Sequence, residues 1–125
     1  MTEDDVIGIM RVFIEAQFPR NCPTCGRRFE SLRDYLEGTT HLDSPIVYRE
    51  DEEDHSVHLG PMSLANCRTC GTTITVGSGN IPRPQLAELM RWARRESAQR
   101  HINVRQLLHH LRDRIDAQVF GGSTG

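Results

Sequence analysis

All four cysteines of this 125-residue chain fall in two copies of one motif, Cys22-Pro23-Thr24-Cys25-Gly26 and Cys67-Arg68-Thr69-Cys70-Gly71. A two-residue spacer lets both sulfurs of a pair reach one ion, and two such pairs complete a tetrahedral shell for zinc. The glycine after each pair can adopt φ > 0 and turn backbone amides towards sulfur. The stretch between the motifs is poor in large apolar residues. A metal would compensate there, because the ~10–16 kcal/mol of a structural zinc site appears as folding free energy. Cys22, Cys25, Cys67 and Cys70 are therefore the candidate metal ligands.

Other chemistries use the same spacing. A c-type haem site needs His directly after the second Cys, where Gly26 and Gly71 stand. A thioredoxin-like dithiol occurs once, at a helix N-terminus, and not in two Gly-terminated copies. Iron in the same four sulfurs, a site that oxidation empties, and no stable metal stay open as alternatives. Histidine ligands are not expected, since four sulfurs already close the shell. His55 and His58 flank an acidic run, and strand spacing would place them on opposite faces. His41 is a further candidate without a clear partner. His109 and His110, adjacent on a helix, point about 100° apart.

The two motifs resemble the zinc-ribbon group. That resemblance implies two knuckles clamping one zinc at the end of a small antiparallel sheet, and it covers only about residues 22–76. The forty-one residues between the pairs exceed a minimal ribbon. The run from Cys22 to Leu36, with Leu64-Ala65-Asn66-Cys67, is similar to small bacterial proteins, a likeness that hints at regulation.

Around this centre the apolar pattern predicts an α+β fold in a single domain over 1–125: an N-terminal helix (1–19), a zinc-ribbon-like core (20–77) and a C-terminal helical hairpin (78–125). Val6, Ile9, Met10 and Phe13 form a helical stripe from an N-cap at Thr2, widened by Ile7, Ile14 and Phe18 and ended by Pro19. Phe29, Leu32, Tyr35 and Leu36 suggest a short second helix stopping near Gly38. Ile46-Val47-Tyr48 and Val57-His58-Leu59 read as strands around a hairpin tip at Glu50 to Asp54, and Thr72, Ile74 and Val76 as a strand leaving the second knuckle. Gly77 to Asn80 reads as a linker or turn. Two helices then follow, from about Pro84 to Arg100 and from a capping box at Asn103 and Gln106 to Gly121.

Net charge is −2, but residues 1–66 carry thirteen acidic residues and six Arg (−7), and residues 67–125 four acidic residues and nine Arg (+5). Such a split suits contact between the halves or self-association. No run of ~18 apolar residues predicts a membrane span, and the acidic start Met1-Thr2-Glu3-Asp4-Asp5 lacks the basic region of a signal peptide. A cytoplasmic location follows as an expectation, and there paired cysteines favour metal over disulfides. No nucleophile elbow, phosphate loop or His-Glu-x-x-His occurs, and a four-thiolate site has no open position, so an enzyme is not expected. Two functions are expected instead. The first is a zinc-stabilised, regulatory protein-interaction module that pairs with itself as a dimer or with another protein. The second is nucleic-acid binding through Arg91, Arg94 and Arg95, against which stand a pI of 6.3 and an aromatic content of 6 %.

Overall fold

The computed structural model describes residues 1–42, 46, 48–50 and 57–121. Helix α1 (Glu3–Glu15) starts at Thr2 in a full capping box: Asp5 N donates to Thr2 Oγ1 at 3.2 Å and Thr2 N to Asp5 Oδ2 at 2.9 Å. It stops three residues short of the expected end, in a turn of Ala16 to Phe18 before a cis Phe18–Pro19 bond. Val6, Ile7, Met10 and Ile14 are its buried side.

Strands β1 (Arg20–Asn21) and β2 (Arg28–Phe29) pair antiparallel around the first knuckle. Phe29 thus belongs to a strand and not to the second helix. Ser31 decides this boundary by capping α2 (Leu32–Gly38): its side chain accepts from Asp34 N, while Asp34 Oδ2 accepts from Glu30 N. Strands β3 (Thr39–His41), β6 (Ser63–Cys67) and β7 (Thr73–Val76) form a three-stranded antiparallel sheet in the order β3-β6-β7. Ala65, Cys67, Ile74 and Val76 face inward with the period of two that a half-buried sheet requires.

A separate pair, β4 (Tyr48–Glu50) and β5 (Val57–Leu59), lies between β3 and β6 in sequence. The first strand starts at Tyr48 and not at Ile46. Ile46 precedes it as a buried loop residue whose N–H is donated to His109 Nε2 at 3.0 Å. The expected hairpin tip at 51–54, with His55, lies outside the described residues.

Gly77 to Asn80 is no free linker. Its turn is docked on the end of α1, where Gln17 Nε2 donates to Gly77 O at 2.8 Å and Asn80 Nδ2 to Phe13 O at 2.6 Å. Helices α3 (Arg83–Gln99) and α4 (Val104–Gly121) then form the expected hairpin. The Asn103/Gln106 capping box is present in both directions, at 3.0 and 2.8 Å. Leu89, Met90, Trp92 and Ala93 of α3 meet Leu107, Leu108, Leu111, Ile115 and Val119 of α4 in one core that also takes in α1, α2 and the sheet.

The two halves meet through charge at the start of α1. Glu3 accepts from Arg100 at 2.7 Å and from Arg114, and lies 3.1 Å from His110 Nε2; Asp4 accepts from Arg114 at 2.9 Å. Burial alone would raise the Glu3 carboxyl, but the hydrogen bonds from Arg100, Arg114 and His110 outweigh it and hold it at about 2.

Candidate metal centre

The two knuckles sit where two hairpins turn. Cys22 follows β1, and Cys67 ends β6. In the first knuckle Gly26 N donates to Cys22 O at 3.0 Å and Cys22 N to Arg27 O at 2.8 Å. The second repeats this, with Gly71 N to Cys67 O at 2.7 Å and Cys67 N to Thr72 O at 2.8 Å. Gly26 and Gly71 have φ of +77° and +80°, and a Cβ on either would meet nothing within 4 Å. The backbone conformation, not crowding, is what calls for glycine at both positions.

These turns bring the four sulfurs together. All lie within 4.8 Å of one another, and no other cluster of potential metal ligands occurs among the described residues. Across the knuckles, Cys22 Sγ is 3.5 Å from Cys70 Sγ and Cys25 Sγ is 3.8 Å from Cys67 Sγ. All four are free thiols; Cys22 and Cys67 are buried, while Cys25 and Cys70 face solvent. Such a set could hold a metal ion.

Backbone amides are aimed at the sulfurs. The Thr72 hydroxyl and amide pull the Cys70 thiol down to about 6. At Cys67 burial opposes ionisation, but the amides of Cys70 and Thr69 outweigh it and lower the thiol. The Arg27 amide also favours a Cys25 thiolate, yet burial and contact with the other three thiols push Cys25 up to about 11. Without a cation, then, the cluster holds its protons unevenly, ready to ionise at one sulfur and resistant at its neighbour. A divalent ion in the middle would replace those protons.

Two residues outside the motifs tie the knuckles together. Arg27 Nη1 donates to Thr69 Oγ1 of the second knuckle at 3.2 Å and lies 3.4 Å from Gly38 O, with its guanidinium 5.4 Å from the Phe29 ring centroid. Arg68 N donates to that same Gly38 carbonyl at 3.1 Å. A Cβ at Gly38 would stand 2.7 Å from the Arg27 guanidinium, so the end of α2 is shaped to admit it. Nothing in the cysteine pattern marks Arg27 or Gly38. Arg27 follows the first motif after Gly26, where the second has Thr72, so the repeat itself does not single it out.

The other candidates lie elsewhere. Arg91 and Arg95 are exposed one turn apart on α3, and Arg94 between them is half-buried, so the three do not form one uniformly exposed face. His41 stacks edge-on against Tyr35, with ring centroids 6.3 Å apart. His109 holds Ile46, and His110 joins the Glu3 cluster. Of His58 only the backbone, paired with Arg49 in β4–β5, is described. Among the described residues no helix is long and apolar enough to cross a membrane. In comparisons with known proteins, the chain matches no family model, no curated protein and no solved structure.

Proposed function

We propose that this chain is a structural zinc protein whose metal fixes a small platform for protein–protein interaction, regulatory in role and not catalytic. The observation that carries this reading is the spacing of the sulfurs. Ligands about 2.3 Å from a tetrahedral zinc stand about 3.8 Å from one another, and the cross-knuckle pairs are at 3.5 and 3.8 Å. Four thiolates leave no position for substrate, which argues for a structural ion. Zinc with four thiolates carries a net charge of about −2, and each knuckle has an arginine in or next to it, Arg27 held on Thr69 Oγ1 and Arg68 on Thr39 O. The interaction role is supported by apolar surface on the outer side of α1, where Val12 is 65 % and Met1 50 % exposed, and by Phe120 on α4 at 47 %. A second copy of the chain, in the cytoplasm and presenting the same apolar surface, is the partner proposed. Native mass spectrometry on untagged protein purified without added metal tests both claims at once. One zinc per chain and a dimer are expected; a metal-free chain overturns the zinc, and a monomer at every concentration overturns self-association.

A second reading, contact with nucleic acid through α3, is favoured by one observation: Arg91 and Arg95 are exposed and have no ion-pair partner among the described residues. Phosphate contact predicts affinity that falls steeply with salt and weakens on every sequence in Arg91→Ala/Arg95→Ala. Absent or salt-insensitive binding to mixed DNA and RNA removes this reading.

A further inference from the structure

At the end of the sheet away from Cys67, β3, β6 and α4 border an open cavity of about 230 Å³ lined by His41, Ser63, Arg112, Asp113 and Asp116. Leu42 and Leu64 supply a short apolar wall. The volume is below the ~300–1,000 Å³ of sites for drug-sized molecules, so an occupant must be small.

The hydrogen-bond roles at the cavity can be worked out. Tyr35 has one hydroxyl proton and two neighbours, Ile74 O at 3.4 Å and Ser63 Oγ at 3.2 Å. A carbonyl only accepts, so the Tyr35 proton goes to Ile74 and Ser63 donates its own proton to Tyr35. The Ser63 oxygen is left with lone pairs for the cavity. Asp116 has no hydrogen-bond or ion-pair partner among the described residues, while Arg112 lies 3.6 Å from Asp113. Counted by formal charge, Asp113 and Asp116 against one Arg112 leave the described lining one net negative charge. Burial, then Arg112 and Arg68, keep His41 below its ordinary range and hence neutral near pH 7. The cavity therefore offers acceptors and one uncompensated carboxylate.

We propose that this cavity binds the ammonium group of a small primary amine, held by the Asp116 carboxylate and Ser63 Oγ. The leucines cover its short carbon chain. The ammonium comes from one of two sources, a simple amine or an α-amino acid, and Arg112 discriminates between them because only the second brings a carboxylate for its guanidinium. Binding requires ionised Asp116. Burial, tempered by Arg112 and reinforced by Asp113, raises that carboxyl to about 6. Among the described residues the other ionisable groups around it are His41 on β3 and Tyr35 on α2. Affinity accordingly rises with pH through about 6 and levels off above it.

The test is a titration of the full-length chain, as purified, followed by amide NMR shifts with propylamine, L-alanine and acetate as probes. Saturable shifts confined to residues around His41, Ser63 and Asp116 are expected with propylamine and alanine and not with acetate. Equal affinity for the two amines assigns binding to the ammonium alone, and tighter alanine adds Arg112 to the site. Asp116→Asn should weaken propylamine at least about tenfold, the worth of one charge-assisted hydrogen bond. Wild-type protein should bind about tenfold more weakly near pH 5 than near pH 7.5, which reads the site without any variant. No saturable shift with either amine, acetate binding as well as propylamine, or a pH-independent affinity overturns the proposal.

Discussion

Replacing Cys67 by serine tests the metal where the structure leaves least room for compensation. Cys67 ends β6, is 1 % exposed, and its N–H and carbonyl both bond within the second knuckle. A structural zinc site is worth ~10–16 kcal/mol, as much as the whole ~5–15 kcal/mol of a typical domain. Taking one ligand in four as a quarter of that gives about 2.5–4 kcal/mol as a lower bound, because chelation is cooperative. For a chain of this size each kcal/mol shifts Tm by about 3–6 °C, so Cys67→Ser should melt at least about 7 °C below wild type. Circular dichroism follows the melt, and elemental analysis counts metal in the same samples. Hydrogen exchange should show the loss concentrated at 22–29 and 63–76, while α3 and α4, which share Leu89, Met90, Leu107 and Leu111 in the core, stay protected longest. Cys70→Ser should cost less, since its oxygen would face water. An unchanged Tm in Cys67→Ser, or full metal content without the thiol, refutes the reasoning.

Three further substitutions probe what lies around the centre. Glu3→Gln removes the charge that gathers Arg100, Arg114 and His110, and should lower stability by about 1–2 kcal/mol in urea, because the arginines are a third exposed. Tyr35→Phe leaves the Phe29 edge contact intact and deletes only the hydroxyl bonds to Ser63 and Ile74, for about 1 kcal/mol by the same measurement. Gly71→Ala keeps every contact but forces a Cβ into φ +80°, so its cost should be about 1–2 kcal/mol of strain, read as a lower Tm with metal still bound.

What could be read from the chain was local. The Thr2 cap, the Asn103/Gln106 box and the helices α1, α3 and α4 are decided within one or two turns and appear as expected, although the buried side of α1 is centred on Ile7 and Ile14 and not on Ile9 and Phe13. So does the meeting of the two cysteine motifs, since no other arrangement gives four thiols a common use. Phe29 was assigned to a helix because its spacing to Leu32 and Leu36 is helical; the local bonds of Ser31 and Asp34 overrode that pattern. The contacts that could not be read join distant residues. Ile46 to His109 spans 63 positions, Arg27 to Thr69 spans 42, and Glu3 to Arg114 spans 111. A charge imbalance between the halves pointed towards the last of these, but not to which carboxylate would carry it. Trp92 widens the buried face of α3 and Val119 extends that of α4 by one turn beyond Ile115.

With a metal in the cysteine cluster the fold would be fastened twice, by thiolates in the middle and by a carboxylate cluster joining its two ends, and acid should undo the two in a fixed order. Metal loss returns protons to the sulfurs. Each proton taken up is worth about 1.36 kcal/mol per pH unit; Cys70, at about 6, joins only in the lower part of the range. Three to four protons therefore remove about 4–5 kcal/mol per unit, which exhausts ~10–16 kcal/mol roughly two to four units below neutrality. The Glu3 cluster behaves differently. Its carboxyl is depressed from 4.5 to about 2, so its contribution is complete above 4.5 and disappears only as pH falls through about 2. Acid titration should therefore release metal, seen with a chromogenic chelator, around pH 3–5, while the helical signal at 222 nm survives and declines only nearer pH 2. Loss of helix before metal would show that the clamp at Glu3, and not the cysteine centre, is the weaker fastening.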